Sequence, residues 1–478
     1  MIRRAITGMQ HVGGFALLVG IWFLAGPAFA SDTVCRPNDN LAVVAAELDK
    51  TIIAGMRGNR VPGVSVALIR DGRLVWAKGY GHTNSFFDSA VSADTVFPVA
   101  SLGKPVTAYT FLKLVEAGRV RIDAPLAPQL KRRWLPATPQ NDSITAFQLL
   151  THQSGLGNAI RSRKRSLKFP PGTSFSYSGV GYMYLQEAVA QRSGMTFENA
   201  VQSLALAPAG MTSSSFTHIV SPNPAAAGHT PLRTPVIIFG VFIGIVFAAL
   251  LLPFLVLHRL IARKWLPSAR AVAAYVAACG GMATAVMTYM TGRGPGFFFG
   301  GIGCLLLLAT FVTWLALHKL RPASSPAGIL LTGLLAVGLP ALLVLANWQR
   351  PMPLPNVDER DGNAAASFRS TAPDLARFLV HVMHEAQARP AGLVAKMLVP
   401  AVSTGPRSGW GLGFGIYEAA NDRIVWHRGS SPAYQSVLAM CPRQGYGVVV
   451  LSNATDGEDL VKAVAARALG GTAPWDEN

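Results

Sequence analysis

The chain has few cysteines, few acidic residues and little charge of either sign. Four cysteines in 478 residues exclude a disulfide framework. Cys279 and Cys304 fall inside apolar runs and read as buried thiols. Cys35 and Cys441 would both face an oxidising compartment, and they pair only if the fold brings their backbones close. Asp and Glu number 24 against 42 Lys and Arg, a formal net charge of +18. No aromatic-interleaved basic motif accompanies that excess, so nucleic acid is excluded as a partner. Metal-ligand spacing is also missing: His384-Glu385 does not extend to H-E-x-x-H, because position 388 is Ala. There is no G-x-S-x-G, which removes the nucleophile elbow of an α/β-hydrolase. No metal and no cofactor are indicated.

What is abundant is apolar sequence. Half of the residues are hydrophobic, 14% are charged, and the mean hydropathy is +0.34, which points to membrane segments. Residues 1–30 read as a secretory signal: Arg3 and Arg4, an apolar centre from about Gly13 to Ala25, and a Pro27-Ala28-Phe29-Ala30 end with cleavage after Ala30. Residues 231–350 hold four apolar runs, at about 235–257, 268–290, 297–318 and 327–347, each near the ~20 residues that cross a bilayer. Arg259, Arg263, Lys264 and Arg270 lie between the first two runs, Lys319 and Arg321 between the last two, and only Arg293 between the middle pair. The positive-inside rule puts the first and third loops in the cytoplasm. The flanking pieces, 31–230 and 351–478, then lie on the outer face of the cytoplasmic membrane, in agreement with the signal. Pro351, Pro353 and Pro355 read as a stiff connector. A basic run from Arg161 to Lys168 is either a solvated loop or an attraction for anionic headgroups or an acidic substrate.

The outer pieces carry the chemistry. Ser101-Leu102-Gly103-Lys104 stands between the apolar segment at Phe97 and a helical pattern. If Ser101 opens that helix, Lys104 lies one turn on, on the same face. A serine needs a base beside it to become a nucleophile. A lysine serves when burial lowers its pKa. The helix N-terminus adds a positive dipole end, and Pro105 is tolerated in its first turn. A surface serine with a solvated lysine would show the same four letters, so the neighbours matter. Phe175-Ser176-Tyr177-Ser178-Gly179 follows downstream, and Trp426-His427-Arg428-Gly429-Ser430 stands near the C-terminus.

In order and spacing these three stretches resemble the S-x-x-K, Y-x-N and K-T-G (or H-x-G) elements of the serine β-lactamase and penicillin-binding-protein superfamily, class C-like branch. Leu149-Leu-Thr-His152-Gln-Ser-Gly155-Leu, Pro62-to-Gly72, Ser370-to-Phe378 and Gly409-to-Gly415 are similar to flanking signatures of that branch. The resemblance covers about 40–230 and 357–470. It implies an acyl-enzyme hydrolase acting on an ester, a cell-wall peptide or a β-lactam, with a small-molecule, peptidoglycan or lipid-like substrate beside the lipid bilayer as partner. A penicillin-binding sensor and an inactive binding protein are the alternatives. Ser101 would attack, Lys104 would keep the potential positive and shuttle the proton, and Tyr177 would be the base. Its phenolate would be stabilised by Lys104 and, if protonated, by His427. Backbone N–H groups of Ser101 and Ser430 would form the oxyanion hole. Gly429 would let the strand approach substrate, and Arg428 or the basic run could take a substrate carboxylate. His152 reads as a packing residue. Two positions depart from the pattern: Gly179 replaces the Asn that holds the substrate amide and the lysine, and His427-Arg428-Gly429 replaces K-T-G. Both changes favour ester or peptidase-like chemistry over β-lactam hydrolysis.

The expected fold is α/β (α+β): an antiparallel sheet flanked by helices plus a helical subdomain, interrupted by the four-helix transmembrane insertion. Val64 to Arg70, an Asp71-Gly72 turn and Leu74 to Tyr80 predict a hairpin. Ile424 to Arg428, Gln435 to Cys441 and Gly447 to Leu451 predict three further strands, and Asp459 to Leu469 a helix.

Overall fold

The computed structural model describes residues 39–85, 87–158, 166–217, 225–231, 351–353, 362–419 and 422–471. The signal, the basic run as far as Arg165, Pro355, three of the cysteines and the four apolar runs lie outside the described residues. Among the described residues no helix is long and apolar enough to cross a membrane, and Cys441 is a buried free thiol.

In chain order the strands are β1 (Gly63–Arg70), β2 (Arg73–Asn84), β3 (Phe87–Ala90), β4 (Phe97–Ala100), β5 (His229–Pro231), β6 (Pro351–Pro353), β7 (Phe368–Ser370), β8 (Val402–Ser403), β9 (Ser408–Trp410), β10 (Gly415–Glu418), β11 (Arg423–Ser431), β12 (Tyr434–Cys441) and β13 (Tyr446–Ser452). The helices used below are α1 (Leu41–Gly58), α2 (Gly103–Glu116), α3 (Ala146–Leu150), α4 (Gly179–Ser193), α5 (Ala372–Ala388) and α6 (Glu458–Ala468). Nine strands form one antiparallel sheet in the order β3-β2-β1-β13-β12-β11-β10-β9-β8.

The β1–β2 turn uses Asp71 at φ 50° and Gly72 at φ 65°, the left-handed pair that a two-residue hairpin requires. β1 is buried on both faces except at Arg70, because helices cover the sheet on each side. Val44, Leu48 and Ile52 of α1 and Leu460, Val461 and Val464 of α6 fill one side, against Val64, Val66, Val437 and Val450. The other side meets α2, α4 and α5 through Phe111, Tyr182, Phe378 and Leu379. Fully burying one such side chain is worth about 1.5–3 kcal/mol.

The pieces on either side of residues 232–350 share this fold. β1 from the first piece pairs with β13 from the second, from Val64↔Ser452 to Ile69↔Gly447. β4 pairs with β7. Asp374 ties them again: its Oδ2 accepts from Ser213 N at 2.7 Å and from Ser214 Oγ at 2.8 Å. Pro351 and Pro353 are not a stiff spacer, as their proline content suggested, but part of a strand. β6 pairs with β5 in the register His229↔Pro353, Thr230↔Met352, Pro231↔Pro351. Proline is tolerated there because, among the described residues, no third strand pairs with β6 to need its missing N–H.

Candidate active site

Ser101 sits where β4 ends and α2 begins. Ala100 turns the chain with φ 47°, a left-handed conformation that costs a residue with a Cβ about 1–2 kcal/mol. Leu102 N then donates to Val99 O at 3.1 Å and Lys104 N to Ser101 O at 3.0 Å, so the backbone winds into α2 with Ser101 at its mouth. The two side chains meet as their spacing predicts: Lys104 Nζ donates to Ser101 Oγ at 2.8 Å.

Lys104 is 1% exposed. Burial alone brings its pKa from 10.5 down to about 7, so near neutrality it can hold or take up a proton. Its ammonium also donates to the Ala365 carbonyl at 2.6 Å. Ser101 Oγ lies 3.4 Å from the same oxygen. The Lys104 amine stands 4.9 Å from the Tyr177 ring centroid and 5.7 Å from that of Tyr182.

Tyr177 precedes α4, whose N-cap Ser178 accepts from Gly181 N at 2.8 Å. Burial raises the Tyr177 phenol well above its usual 10, and its hydrogen bond with the Ser101 side chain opposes this only in part. The expected cation at His427 is not there. His427 is 1% exposed, and burial together with Lys104 holds its pKa down to about 3, so it is neutral at physiological pH. Its Nδ1–H donates to Arg428 O at 2.8 Å, and Nε2 is left as a buried acceptor without a partner among the described residues. His427 therefore supplies no second cation, the condition attached to its part in stabilising a Tyr177 phenolate; burial favours the neutral phenol at Tyr177 and brings the Lys104 amine close to neutrality.

Around Tyr177 the wall is aromatic. His152 packs with its ring 4.4 Å from that of Tyr177, and Trp410 of β9 lies 4.9 Å from His152 and 5.5 Å from His427. His152 follows α3, and its Nδ1 accepts from Ser178 N at 3.0 Å, which holds the Tyr177 segment in place. Burial and the nearby Lys104 keep it neutral.

The strand motif is divided between the two faces of the sheet. His427 faces the rings of Tyr177 and Trp410, and the Gly429 backbone approaches Val99, two residues before Ser101. Arg428 looks the other way and pairs with Glu458 of α6, so it is not the expected carboxylate receptor. Gly429 also has a different reason from the one its place in the motif suggested. A Cβ there would lie 2.1 Å from Val99 O and 2.3 Å from Ser436 Oγ, so glycine lets β11 cross the strand that carries Ser101. β10 pairs with β11 only as far as Trp426. Residues 427–431 therefore have β12 on one side and, among the described residues, no paired strand on the other.

The motif position Gly179 presents no side chain, and its N–H donates to Asn158 Oδ1 at 2.8 Å. The acceptor that holds Lys104 comes instead from Ala365, in the turn before β7. No side-chain pattern marks a backbone carbonyl, so sequence reasoning did not find it. Among the described residues, no group of three or more His, Cys, Asp or Glu is placed to hold a metal ion.

A family profile described as Beta-lactamase matches residues 48–300 and 336–472. It runs into the first apolar runs and breaks over the stretch between. Esterase EstB of Burkholderia gladioli is 28% identical over 210 residues, which are 37% of this chain and 52% of that protein. Protein flp of Staphylococcus aureus (strain N315) is 25% identical over 188 residues, 36% of this chain and 38% of that protein. The chain thus spans about half or less of these curated relatives. The octameric penicillin-binding protein homologue from Pyrococcus abyssi superposes with a TM-score of 0.58 at 18% identity, covering 91% of this chain and 79% of that one. D-alanine carboxypeptidase AmpC from Burkholderia cenocepacia gives 0.56 at 14% identity, covering 91% and 100%. These structures share the fold.

Proposed function

The chain belongs to the beta-lactamase family, and from that premise we propose that it is a serine hydrolase working through an acyl-enzyme on Ser101. The observation that carries this is the buried Lys104 amine, 2.8 Å from Ser101 Oγ and with a pKa near 7. In the forward step neutral Lys104 takes the Ser101 proton as Oγ attacks the substrate carbonyl. The carbonyl becomes an oxyanion facing the Ser101 and Ser430 N–H groups. As the carbonyl re-forms and the bond to the leaving oxygen breaks, the Tyr177 hydroxyl, in contact with Ser101, gives its proton to that oxygen and recovers one from the Lys104 ammonium. Water then repeats the sequence in reverse on the acyl-enzyme.

The substrate we infer is a neutral ester. A carboxylate beside the scissile bond would need a fixed cation, but His427 is neutral and Arg428 is bound to Glu458. Gly179 offers no amide to a substrate peptide. The name of the esterase relative agrees with this reading. The test is hydrolysis of p-nitrophenyl butyrate against a penicillin, by wild type and Ser101→Ala. Ser101-dependent ester turnover that exceeds penicillin turnover supports it. Turnover that survives in Ser101→Ala sinks it.

We further propose that the enzyme is a multi-pass protein of the cytoplasmic membrane with this domain on the outer face. Support comes from the four apolar runs and from the β5–β6 ribbon, which brings Pro231 and Pro351 opposite one another. A chain with an even number of spans must leave and return on one side. The ribbon is anchored close to the site: Ala226 N bonds to Val96 O just before β4, and Tyr434 Oη donates to Ala226 O beside the β11–β12 turn. A site held there would face substrates carried in the bilayer. Equal rates on soluble and lipid-anchored versions of one ester would count against that.

A further inference from the structure

The Ala365 carbonyl holds Lys104 only if the turn that carries it is itself held. That turn, residues 362–367, is bonded at Gly362 and Ala364 by a side chain of α4. Gln186 of α4 donates through Nε2–H to Gly362 O at 2.9 Å and accepts through Oε1 from Ala364 N at 2.8 Å. A carbonyl can only accept and an N–H can only donate, so the orientation of the Gln186 amide is fixed by its partners.

The turn is closed from within as well. Asn363 Oδ1 accepts from Ala365 N at 3.1 Å and Ala366 N at 2.8 Å. Asn363 N donates to Ser367 Oγ at 2.7 Å, and Ser367 Oγ lies 2.7 Å from Phe216 O. These bonds hold the turn in a shape whose Ala365 carbonyl meets Lys104 Nζ at 2.6 Å.

No ion pair with a carboxylate is found for Lys104 among the described residues; its hydrogen-bond acceptors there are Ser101 Oγ and Ala365 O. Its aim at Ser101 therefore depends on a neutral oxygen 261 residues away. The motif position that the family resemblance gives to an Asn holding this lysine is Gly179, which has no side chain to offer. Gln186 lies two turns further along the same helix. One helix thus sets Tyr177 at its start and, through Gln186, the acceptor of Lys104.

We propose that Gln186 is a positioning residue for the acyl-transfer reaction: it fixes the 362–367 turn, and through the Ala365 carbonyl it fixes the Lys104 amine on Ser101. This rests on the serine hydrolase reading. It assigns a role outside the three motifs, to a residue that does not touch substrate.

The test uses the full chain in detergent, as wild type, Gln186→Met and Gln186→Glu. Met loses both bonds at similar length, and Glu keeps the acceptor for Ala364 N. A Ser101-directed fluorophosphonate counts competent sites, and p-nitrophenyl butyrate gives kcat and KM against pH. Misplacing a catalytic group by about an ångström costs on the order of 10- to 100-fold. We expect a kcat loss of that order per titrated site for Met, a smaller one for Glu, and a KM that changes little. An ammonium that has lost its acceptor gives up its proton more easily, so the acid limb of the profile should move to lower pH.

Unchanged kcat per site with an unmoved limb would overturn the proposal. So would a loss of rate matched by a loss of titratable sites with the limb in place, which is what a purely structural residue would give. If Met does not fold, Glu alone decides by the same two readouts. A wild type that neither labels nor turns over sinks the hydrolase reading and this proposal with it, whereas an active wild type with indifferent variants sinks this proposal alone.

Discussion

Replacing Lys104 by Met should stabilise the domain while stopping the chemistry. Met keeps the length and apolar stem of the lysine and removes the amine. Burial brings that amine from 10.5 to about 7, so at pH 7 the unfolded chain carries the proton and the folded site carries it only in part. A displacement of that size opposes folding by on the order of 5 kcal/mol. Two losses work against the gain. The buried Ala365 carbonyl loses its charged donor, at about 1–3 kcal/mol, and the bond to Ser101 contributes about 1 kcal/mol. The balance favours the variant by on the order of 1–3 kcal/mol at pH 7, and it has a defined sign with pH. The wild type gains stability as pH rises from about 7 toward 10.5, where the unfolded chain gives up the proton it alone had held. The variant lacks that slope, so its advantage should shrink as pH rises and reverse near pH 10, where only the two lost hydrogen bonds remain. Urea midpoints of the two proteins in detergent at pH 6, 8 and 10 measure the difference. Ester turnover should fall by about 10²–10⁴-fold, the range of general acid–base catalysis. A variant less stable than wild type at pH 7, or a difference that does not change with pH, would refute a lysine kept near neutrality by burial.

Three further outcomes follow from the same geometry. Gly429→Ala places a Cβ 2.1 Å from Val99 O; it should cost about 1–3 kcal/mol as overpacking and lower kcat by shifting β4, read from a thermal melt beside a rate assay. Arg428→Ala removes a guanidinium bound to Glu458 on the far face, so KM for p-nitrophenyl butyrate should stay within about twofold, an exposed pair being worth about 0–1 kcal/mol; a large rise in KM would put Arg428 at the substrate after all. Tyr177→Phe keeps the packing against His152 and Trp410 and removes the hydroxyl; kcat should fall by about 10²–10⁴-fold with Ser101 labelling retained but slowed, and undiminished turnover would remove Tyr177 from the proton path.

The parts of the site that were legible were those with a period or a spacing. S-x-x-K places two side chains one helical turn apart, and the structure puts the atoms at 2.8 Å. The Asp71-Gly72 hairpin and the three C-terminal strands followed from turn residues and alternation, and each strand begins or ends within a few residues of its expected place. The division of His427 and Arg428 between two faces was available from the period of two along β11, but the motif, read as a unit, hid it. The charge state of His427 was not available. It depends on burial beside Lys104, which the aromatic wall of Trp410, Tyr177 and His152 creates from three separate stretches of chain. The Ala365 carbonyl and its Gln186 support left no trace, because backbone acceptors have no identity in a sequence and their partners come from 261 residues away at Ala365 and 176 at Gly362.

Intact-mass analysis of wild type and Ser101→Ala after a short pulse of p-nitrophenyl butyrate, and separately of a penicillin, tests the central claim most directly. The account predicts a butyryl adduct on wild type, absent from Ser101→Ala, that turns over, and a slower or missing adduct with the penicillin. An adduct of equal yield on Ser101→Ala would contradict it, as would ester hydrolysis that proceeds without Ser101.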